Sequence, residues 1–207
     1  MLSIYGRKLR PHHEIEKIIS ATEGFEEKSL KKWQKISTVD NEFIHIIVSG
    51  EVEFRRESDE LCLFTLQGQC IFGLSSIFYH SSHMYGLVRS NTVVRSIPKS
   101  VFSQLMTEKG LWPELTKVLA WYICLLSKRD DVLVARSAYS VVREFLLEIN
   151  ELIVHHQRDI NVYDYIQEYT SLARSTIIKI LSDLKKGQYI VVGKGRLLNI
   201  TNLPEKY

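Results

Sequence analysis

The most constraining feature of this sequence is the stretch of residues 160–200, in which two short helical patterns are followed by a hairpin pattern. Asn161 is a typical helix N-cap, and Asp164 favours the same N-terminus through the helix dipole. A short turn at residues 170–171 separates this helix from a second one, predicted from about residue 173 to residue 184. Two helices this close in sequence predict a helix-turn-helix unit.

The second predicted helix is amphipathic and leads into a short hairpin. Its apolar side chains recur at helical spacing, at Ile177, Ile180, Leu181 and Leu184. Gly187 ends the helix, and residues 189–192 and 196–200 have the apolar pattern of strands on either side of the turn Gly193-Lys194-Gly195. The whole stretch therefore predicts a winged helix-turn-helix with a basic wing tip.

Basic residues occupy the places where a DNA-reading unit needs them. Residues 171–196 contain six Lys and Arg residues and a single carboxylate, Asp183. A helix that enters the major groove needs hydrogen-bond donors in its first turn and cations toward the phosphates. The residues predicted to contact DNA are Arg174, Ser175, Thr176, Lys179, Lys185, Lys186, Lys194 and Arg196. Charge on the outside of a helix is ordinary, but cations on the reading face, the helix end and the wing together favour double-stranded DNA as the partner.

The composition describes a globular chain without a disulfide framework. The net charge of +3 is only mildly basic, so the local cluster rather than the total points to DNA. No apolar run approaches the ~20 residues that cross a bilayer, and the polar N-terminal segment lacks a signal-peptide core. We therefore expect a cytoplasmic protein with no membrane partner. The cysteines are odd in number and widely spaced, at Cys62, Cys70 and Cys124; inert buried thiols are the default, and a redox-sensing role is the alternative.

Short β-like runs bounded by turn residues occupy the region from about residue 36 to residue 97. They lie at residues 43–48, 52–56, 61–66, 70–72, 85–89 and 92–97. Closely spaced strands joined by tight turns favour an antiparallel barrel or jelly roll, because a closed sheet has no exposed edges. Residues 9–33 have an irregular helical pattern and are predicted to form one or two covering helices.

A long helix is predicted from residue 112 to about residue 134, after a short helix that begins near Pro98. Residues 118–126 are all apolar, so this helix needs burial on more than one side. One stripe can pack on the β domain and another on the same helix of a second chain, which predicts a parallel homodimer; a helix fully buried within a monomer is the alternative. The residues predicted at the dimer interface are Leu115, Val118, Leu119, Tyr122, Leu125, Leu126 and Arg129.

The order of β-roll, long helix, short hinge and winged helix-turn-helix resembles the CRP/FNR superfamily of bacterial transcription regulators over nearly the whole chain. Three motifs carry the likeness: HIIVSGEVEFRR resembles the family's early strand-Gly-strand hairpin, LQGQCIFGL its turn into the effector pocket, and VVRSIPKSVFSQLM its exit from the roll. The resemblance implies an α+β chain with a cyclic-nucleotide-binding-like β-roll at residues 1–111, a dimerisation helix and hinge at 112–137, and a winged helix-turn-helix at 138–207. It also implies base and phosphate contacts at Arg174, Ser175 and Lys179, and wing contacts at Lys194 and Arg196. RNA polymerase is a candidate further partner.

The chain departs from the family's cyclic-nucleotide binders at the positions that hold the ligand. In those members a Gly-Glu pair holds the ribose, and an arginine further along pairs with the cyclic phosphate. Here the pair is Gly73-Leu74, and the arginine position falls near Met84. The resemblance therefore implies a degenerate effector pocket that does not take cAMP, with Arg89 and Arg95 as the neighbouring cations that could substitute.

Other chemistries have little support in the sequence. The cysteine cluster of the iron–sulfur members is missing, and Cys70, His80 and His83 do not match the positions of haem-binding members, so no cofactor is predicted. Adjacent histidines at 12–13 and at 155–156 point in different directions, and no metal is predicted. No GxSxG elbow, phosphate-cradling glycine loop or HExxH helix occurs, so no enzyme is predicted.

The leading prediction is a homodimeric DNA-binding transcription regulator, and the resemblance links it further to the oxidative-stress response. The alternative is a regulator that acts through protein–protein contacts, with the winged domain as a docking module. Salt dependence distinguishes the two, because phosphate contacts make DNA binding strongly salt-dependent.

Overall fold

The computed structural model describes residues 8–37, 42–79, 83–134 and 136–205. The chain divides into two compact units, Lys8–Leu125 and a second one within Leu126–Tyr207. We call them the roll unit and the winged unit. In the described ranges, no helix is long and apolar enough to cross a membrane.

The roll unit contains eight described strands in two four-stranded antiparallel sheets. They are β1 (Glu27–Leu30), β2 (Lys35–Ile36), β3 (Phe43–Ser49), β4 (Glu51–Arg56), β5 (Cys62–Gln67), β6 (Cys70–Phe72), β7 (Met84–Val88) and β8 (Thr92–Pro98). One sheet has the order β1-β8-β3-β6, and the other has the order β2-β7-β4-β5. Strands β3 to β8 match the predicted β runs to within one residue at each end, which confirms the predicted β-roll.

The N-terminal segment corrects the prediction of covering helices. Helix α1 spans His12–Ala21 and buries three isoleucines, Ile15, Ile18 and Ile19. Beyond it the chain forms β1, which pairs with β8, and then β2, which pairs with β7. The lysine-rich run around Trp33 is therefore not helical, because pairing with the edges of the two sheets supplies its neighbours with backbone hydrogen bonds and overrides the local helical pattern.

Two helices follow the roll, α2 (Lys99–Glu108) and α3 (Trp112–Leu133). The core of the roll unit includes four residues of α3, Leu115, Val118, Trp121 and Leu125, each no more than 4% exposed. This corrects part of the predicted dimer interface: Leu115, Val118 and Leu125 pack inside their own chain and are not available to a partner helix. Arg129, also predicted at that interface, is half-buried.

Tyr122, another residue predicted at the dimer interface, is likewise engaged within the roll unit. Its hydroxyl donates to the Ile71 carbonyl at 2.7 Å and accepts from the Ile71 N–H at 3.2 Å. Ile71 lies in β6, the last strand of its sheet. The hydroxyl therefore satisfies backbone groups that an edge strand would otherwise leave unpaired.

The winged unit contains three helices and a hairpin. They are α4 (Ala138–His156), α5 (Val162–Tyr169), α6 (Arg174–Lys186), β9 (Ile190–Gly193) and β10 (Arg196–Ile200). Each helix contributes fully buried apolar side chains, among them Phe145, Ile149, Ile166, Ile177 and Leu181. Strands β9 and β10 pair antiparallel. This order confirms the predicted winged helix-turn-helix and leaves one face of α6 to solvent.

Candidate nucleic-acid interface

The N-terminus of α5 is tied to the turn of the wing. The Asn161 side chain accepts hydrogen bonds from the N–H groups of Tyr163 and Asp164 at 3.0 and 3.4 Å, which is N-cap geometry. The Val162 N–H donates to the Gly195 carbonyl at 2.8 Å. Gly195 has a φ of 80°, and a Cβ at this position would lie 2.8 Å from Asn161 Nδ2. A side chain at this position would therefore be strained and would press on the Asn161 cap, and the wing turn and α5 hold each other in place.

The turn between α5 and α6 is closed by Thr170. Its hydroxyl donates to the Ile166 carbonyl at 2.7 Å and accepts from the Leu172 N–H at 3.4 Å. Helix α6 begins one residue later than predicted, at Arg174, and Ala173 occupies the N-cap without a side-chain hydrogen bond. The predicted apolar stripe is buried, at Ile177, Ile180, Leu181 and Leu184. This burial turns the opposite face of α6 outward.

The residues predicted to contact DNA all reach the surface. Thr176 is half-buried, and the other seven are exposed. At 3.6 residues per turn, Ser175, Lys179 and Lys186 lie opposite the buried stripe of α6. Ile178 is 46% exposed near the same face. Sequence reasoning overlooked it, because an apolar residue in an amphipathic helix is assigned to the core; an exposed apolar side chain beside a reading face can contact a thymine methyl group.

The arginines of this surface are held by neighbouring acceptors. Arg174 Nη1 donates to Gln167 Oε1 at 2.9 Å and lies 3.6 Å from Asp164 Oδ1. Arg196 Nη2 donates to Asp159 Oδ2 at 2.6 Å. Three lysines make no ion pair with any described residue: Lys179, Lys185 and Lys194. The sequence predicted the two arginines as DNA contacts but not their acceptors, Gln167, Asp164 and Asp159, which lie outside the predicted basic segment.

The wing tip is a two-residue hairpin turn. Lys194 and Gly195 both have left-handed backbone conformations, with φ of 49° and 80°, and the flanking residues Gly193 and Arg196 pair across the hairpin. This is the pattern of a type I′ turn, whose twist matches that of the strands. The exposed ammonium of Lys194 therefore lies at the end of a short, well-defined hairpin.

The roll unit contains a cluster of aromatic side chains close to the predicted effector region. The Phe54 ring packs against Phe64 and Phe72, with centroid distances of 4.7 and 5.2 Å. Leu74, where cyclic-nucleotide binders have a carboxylate, is buried at the start of the turn Leu74–Ile77. Met84, near the position of the phosphate-binding arginine, is half-buried in β7. Neither side chain carries the charge that the carboxylate and the arginine of the cyclic-nucleotide binders bring to the ligand.

The two arginines considered as substitute cations already have partners. Arg95 donates to Glu27 Oε1 at 2.7 Å and to the Thr22 hydroxyl at 3.1 Å. Arg89 Nε lies 3.1 Å from Glu53 Oε1, and its guanidinium stacks over an aromatic ring, 4.3 Å from the centroid of Trp33. Both guanidinium groups are therefore part of the structural framework of the roll.

The three cysteines differ in accessibility. Cys62 and Cys70 are buried, whereas Cys124 is exposed on α3. Burial raises the pKa of the Cys70 thiol to about 12, and the positive charge of Arg10 opposes this shift only in part. Because the thiolate is the species that is oxidised, this shift makes the Cys70 thiol less reactive, and Cys124 is the one exposed thiol of the three.

In the part of the chain that the structure describes, no group of three His, Cys, Asp or Glu residues is arranged to hold a metal ion. His80, one of the residues considered for haem, lies outside the described residues.

Comparisons with known proteins agree with this architecture. A family model for winged helix-turn-helix DNA binding matches residues 138–205. The chain is 31% identical over 172 residues to the inhibitor of hydrogen peroxide resistance of Escherichia coli strain K12, covering 83% of each chain. It is 28% identical over 168 residues to the protein of the same name from Salmonella typhimurium, covering 81% of each chain.

Two solved structures share the fold at low sequence identity. The first is a transcriptional regulator of the CRP/FNR family from Eubacterium rectale, with a TM-score of 0.70, 17% identity and coverage of 90% of this chain and 89% of that one. The second is the c-di-GMP-responsive global regulator CLP from Xanthomonas campestris, with a TM-score of 0.66, 12% identity and coverage of 92% and 100%.

Proposed function

The chain belongs to the inhibitor of hydrogen peroxide resistance family of CRP/FNR-type DNA-binding transcription regulators, which are not enzymes, and from this premise we propose that α6 reads duplex DNA. The observation that carries the proposal is the outward face of α6 and the wing, where three exposed lysines make no ion pair with a described residue. Such lysines can neutralise phosphates without first breaking a bond within the protein.

The eight surface residues divide into two roles in this proposal. Arg174, Ser175, Thr176 and Lys179 lie in the first half of α6 and contact base edges and nearby phosphates. Contacts with the sugar-phosphate backbone come from the end of the helix and from the wing, through Lys185, Lys186, Lys194 and Arg196. The first group sets sequence preference, and the second adds affinity that is independent of sequence.

Two alanine variants of α6 test this division of roles. Arg174→Ala removes a bidentate contact to guanine and should cost about 1–3 kcal/mol on a duplex selected by the wild-type protein, with relaxed preference at one base position. Lys185→Ala should weaken binding to selected and random duplexes alike. It should also lower the salt slope, the change of log affinity with log salt concentration, by about one. Both affinities are measured by fluorescence anisotropy at several salt concentrations, with Lys109→Ala on the roll unit as a surface control.

The ratio of selected to random affinity decides the outcome. If Arg174→Ala left this ratio unchanged at fixed salt, α6 would not be the reading element. Salt-insensitive association of the winged unit with a protein would instead favour the docking-module alternative.

We further propose that the protein is a parallel homodimer through a seam on the exposed side of α3. Five residues repeat there at steps of three and four: Thr116, Leu119, Ile123, Leu126 and Asp130. Leu119 is half-buried against the core of the roll, and the other four are exposed. Ile123 is 66% exposed and Leu126 is 40% exposed, which is unfavourable for a monomer. In heptad terms Ile123 is an a position flanked by leucines at d, the combination that favours parallel two-stranded coiled coils. Of the residues predicted at the interface, Leu119 and Leu126 belong to this proposed seam. Ile123, which was not among the predicted residues, takes the place of Leu115, Val118 and Leu125, which are buried in the roll.

We also propose that the roll serves as a structural domain without cAMP as its effector. The support is the set of apolar residues at the ligand positions, Leu74 and Met84, and the engagement of Arg89 and Arg95 in ion pairs. The DNA-binding assay is repeated with cAMP, and the affinity should not change. By relation to the relatives named for peroxide resistance, we propose that the regulated genes serve the response to peroxide. Contact with RNA polymerase stays a prediction.

A further inference from the structure

We propose that Gln167 of α5 is a positioning residue that orients the Arg174 guanidinium for reading a guanine; this rests on the proposed reading role of α6. The two residues lie on adjacent helices of the helix-turn-helix, and both side chains are exposed. Arg174 Nη1 donates to Gln167 Oε1 at 2.9 Å. The hydrogen bond therefore connects the reading helix to the helix that precedes it, at the surface that faces solvent.

The nitrogen used in this contact leaves the reading edge of the guanidinium open. Gln167 and Asp164 both approach Nη1 of Arg174. No described residue hydrogen-bonds its Nε–Nη2 edge. That edge presents two parallel N–H groups in a rigid plane, which is the geometry that matches O6 and N7 of guanine. The hydrogen bond at Nη1 therefore fixes the plane of the Arg174 guanidinium and leaves the Nε and Nη2 donors free for the base.

The chemistry of the acceptor suits a positioning role. A free arginine on a helix surface samples many rotamers, and ordering it on DNA would reduce affinity. The carboxamide of Gln167 accepts a hydrogen bond without carrying a charge, so it restricts Arg174 without repelling the DNA backbone. Asp164 lies farther away, at 3.6 Å, and its carboxylate is exposed, so water screens its attraction for Arg174. Gln167 is accordingly the main contact, and Asp164 is secondary.

The test compares Gln167 variants on a duplex recovered from a random pool by the wild-type protein and on a random duplex. Gln167→Ala should lower affinity for the recovered duplex about three- to tenfold and leave random affinity unchanged, because one hydrogen bond that prepares Arg174 is lost. Gln167→Glu keeps the acceptor oxygen and should retain the ratio of recovered to random affinity. Its negative charge should weaken binding to both duplexes alike. Gln104→Ala is the matched control, since this exposed helical glutamine on α2 also bonds a neighbouring side chain, Glu108.

A double-mutant cycle separates positioning from direct contact. In the Arg174→Ala background, Gln167→Ala should have no further effect, because the residue through which it acts is absent. If Gln167→Ala still weakened binding there, or weakened random DNA equally, Gln167 would itself contact DNA and the inference would be overturned. If Arg174→Ala changed the affinity ratio but Gln167→Ala did not, the inference alone would fail. If Arg174→Ala did not change the ratio, the proposed reading role would fail.

Discussion

Lys194 and Gln188 are non-glycine residues held in the left-handed backbone region, with φ of 49° and 60°. An L-residue with a side chain such as lysine pays a steric cost of roughly 1 kcal/mol in this region, which asparagine and glycine largely avoid. Gln188 follows the end of α6, where the Tyr189 N–H donates to the Leu184 carbonyl at 2.9 Å, a bond of the Schellman type. The sequence pointed to Gly187 at this helix end, but the left-handed residue is Gln188. Gly187 instead leaves room for the ring of Tyr189, which a Cβ would approach to 2.6 Å.

Replacing Lys194 should therefore stabilise the wing turn and remove a positive charge from it. Lys194→Asn should raise the free energy of unfolding by about 0.5–1 kcal/mol, because Asn-Gly is the preferred type I′ pair. The same change should weaken all duplexes and lower the salt slope by about one, because a phosphate contact is lost. Gln188→Gly is the control, expected to stabilise by a similar amount with unchanged DNA binding. Urea unfolding measures the change in stability, and DNA titration at several salt concentrations measures the change in binding. An unchanged salt slope would show that Lys194 does not contact DNA.

At the level of secondary-structure elements, α3 and β6 depend on each other through one hydroxyl. Tyr122 is packed among aromatic rings, 5.0 Å from Trp121 and 6.1 Å from Phe64 between centroids. Burial raises the pKa of the Tyr122 hydroxyl, and its hydrogen bonds with Ile71 oppose that shift only in part. The hydroxyl therefore stays neutral and both donates to and accepts from β6. Helix α3 thus completes the edge of the roll as well as covering its core.

Removing this hydroxyl should destabilise the roll unit without changing its shape. Tyr122→Phe leaves the buried N–H and carbonyl of Ile71 without a partner and should cost about 1–3 kcal/mol. Tyr79→Phe is the control, because Tyr79 is 71% exposed and should change stability little. All three tryptophans lie in the roll unit, so urea unfolding followed by tryptophan fluorescence reports on it. Equal stability of the two variants would show that water replaces the hydroxyl.

For the molecule as a whole, the proposed dimer determines how it meets DNA. Two copies related by a two-fold axis would present two α6 helices to half-sites about one helical turn, or ~34 Å, apart on the duplex. Linking two reading units makes the second contact effectively intramolecular, which raises affinity without any new interaction. In the proposed dimer, the seam of α3 would therefore contribute to DNA affinity by joining the two reading units.

Ile123→Glu tests the seam directly. A charge buried at an a position should dissociate the dimer, which light scattering would detect as a halved mass. Affinity for a duplex with two half-sites should fall about 10²-fold or more, while affinity for a single half-site should not change. Val101→Glu is the matched control, because Val101 is also an exposed apolar residue, 40% exposed, and lies on a different helix, α2. A dimeric Ile123→Glu protein would show that the interface lies elsewhere. Leu125→Glu would be uninformative, since Leu125 is buried in the roll and its loss would unfold that unit.

Local sequence was sufficient for the elements whose signals are local. The period of α6, the N-cap at Asn161, the glycines of the wing turn and the alternation of β3 to β8 all act over a few residues, so the winged helix-turn-helix and most of the roll could be predicted. The cations of the candidate interface were predicted for the same reason, because their positions on a helix and a hairpin follow from spacing.

Tertiary structure alone decided which partner each surface meets. Periodicity showed that α3 has several apolar stripes, but only the packed roll shows that Leu115, Val118 and Leu125 face inward and Ile123 faces outward. The pairing of β1 with β8 and the contact of Arg196 with Asp159 join segments that are far apart in sequence. Spacing determines which residues share a face, whereas the neighbour of that face depends on long-range contacts formed only when the whole unit folds.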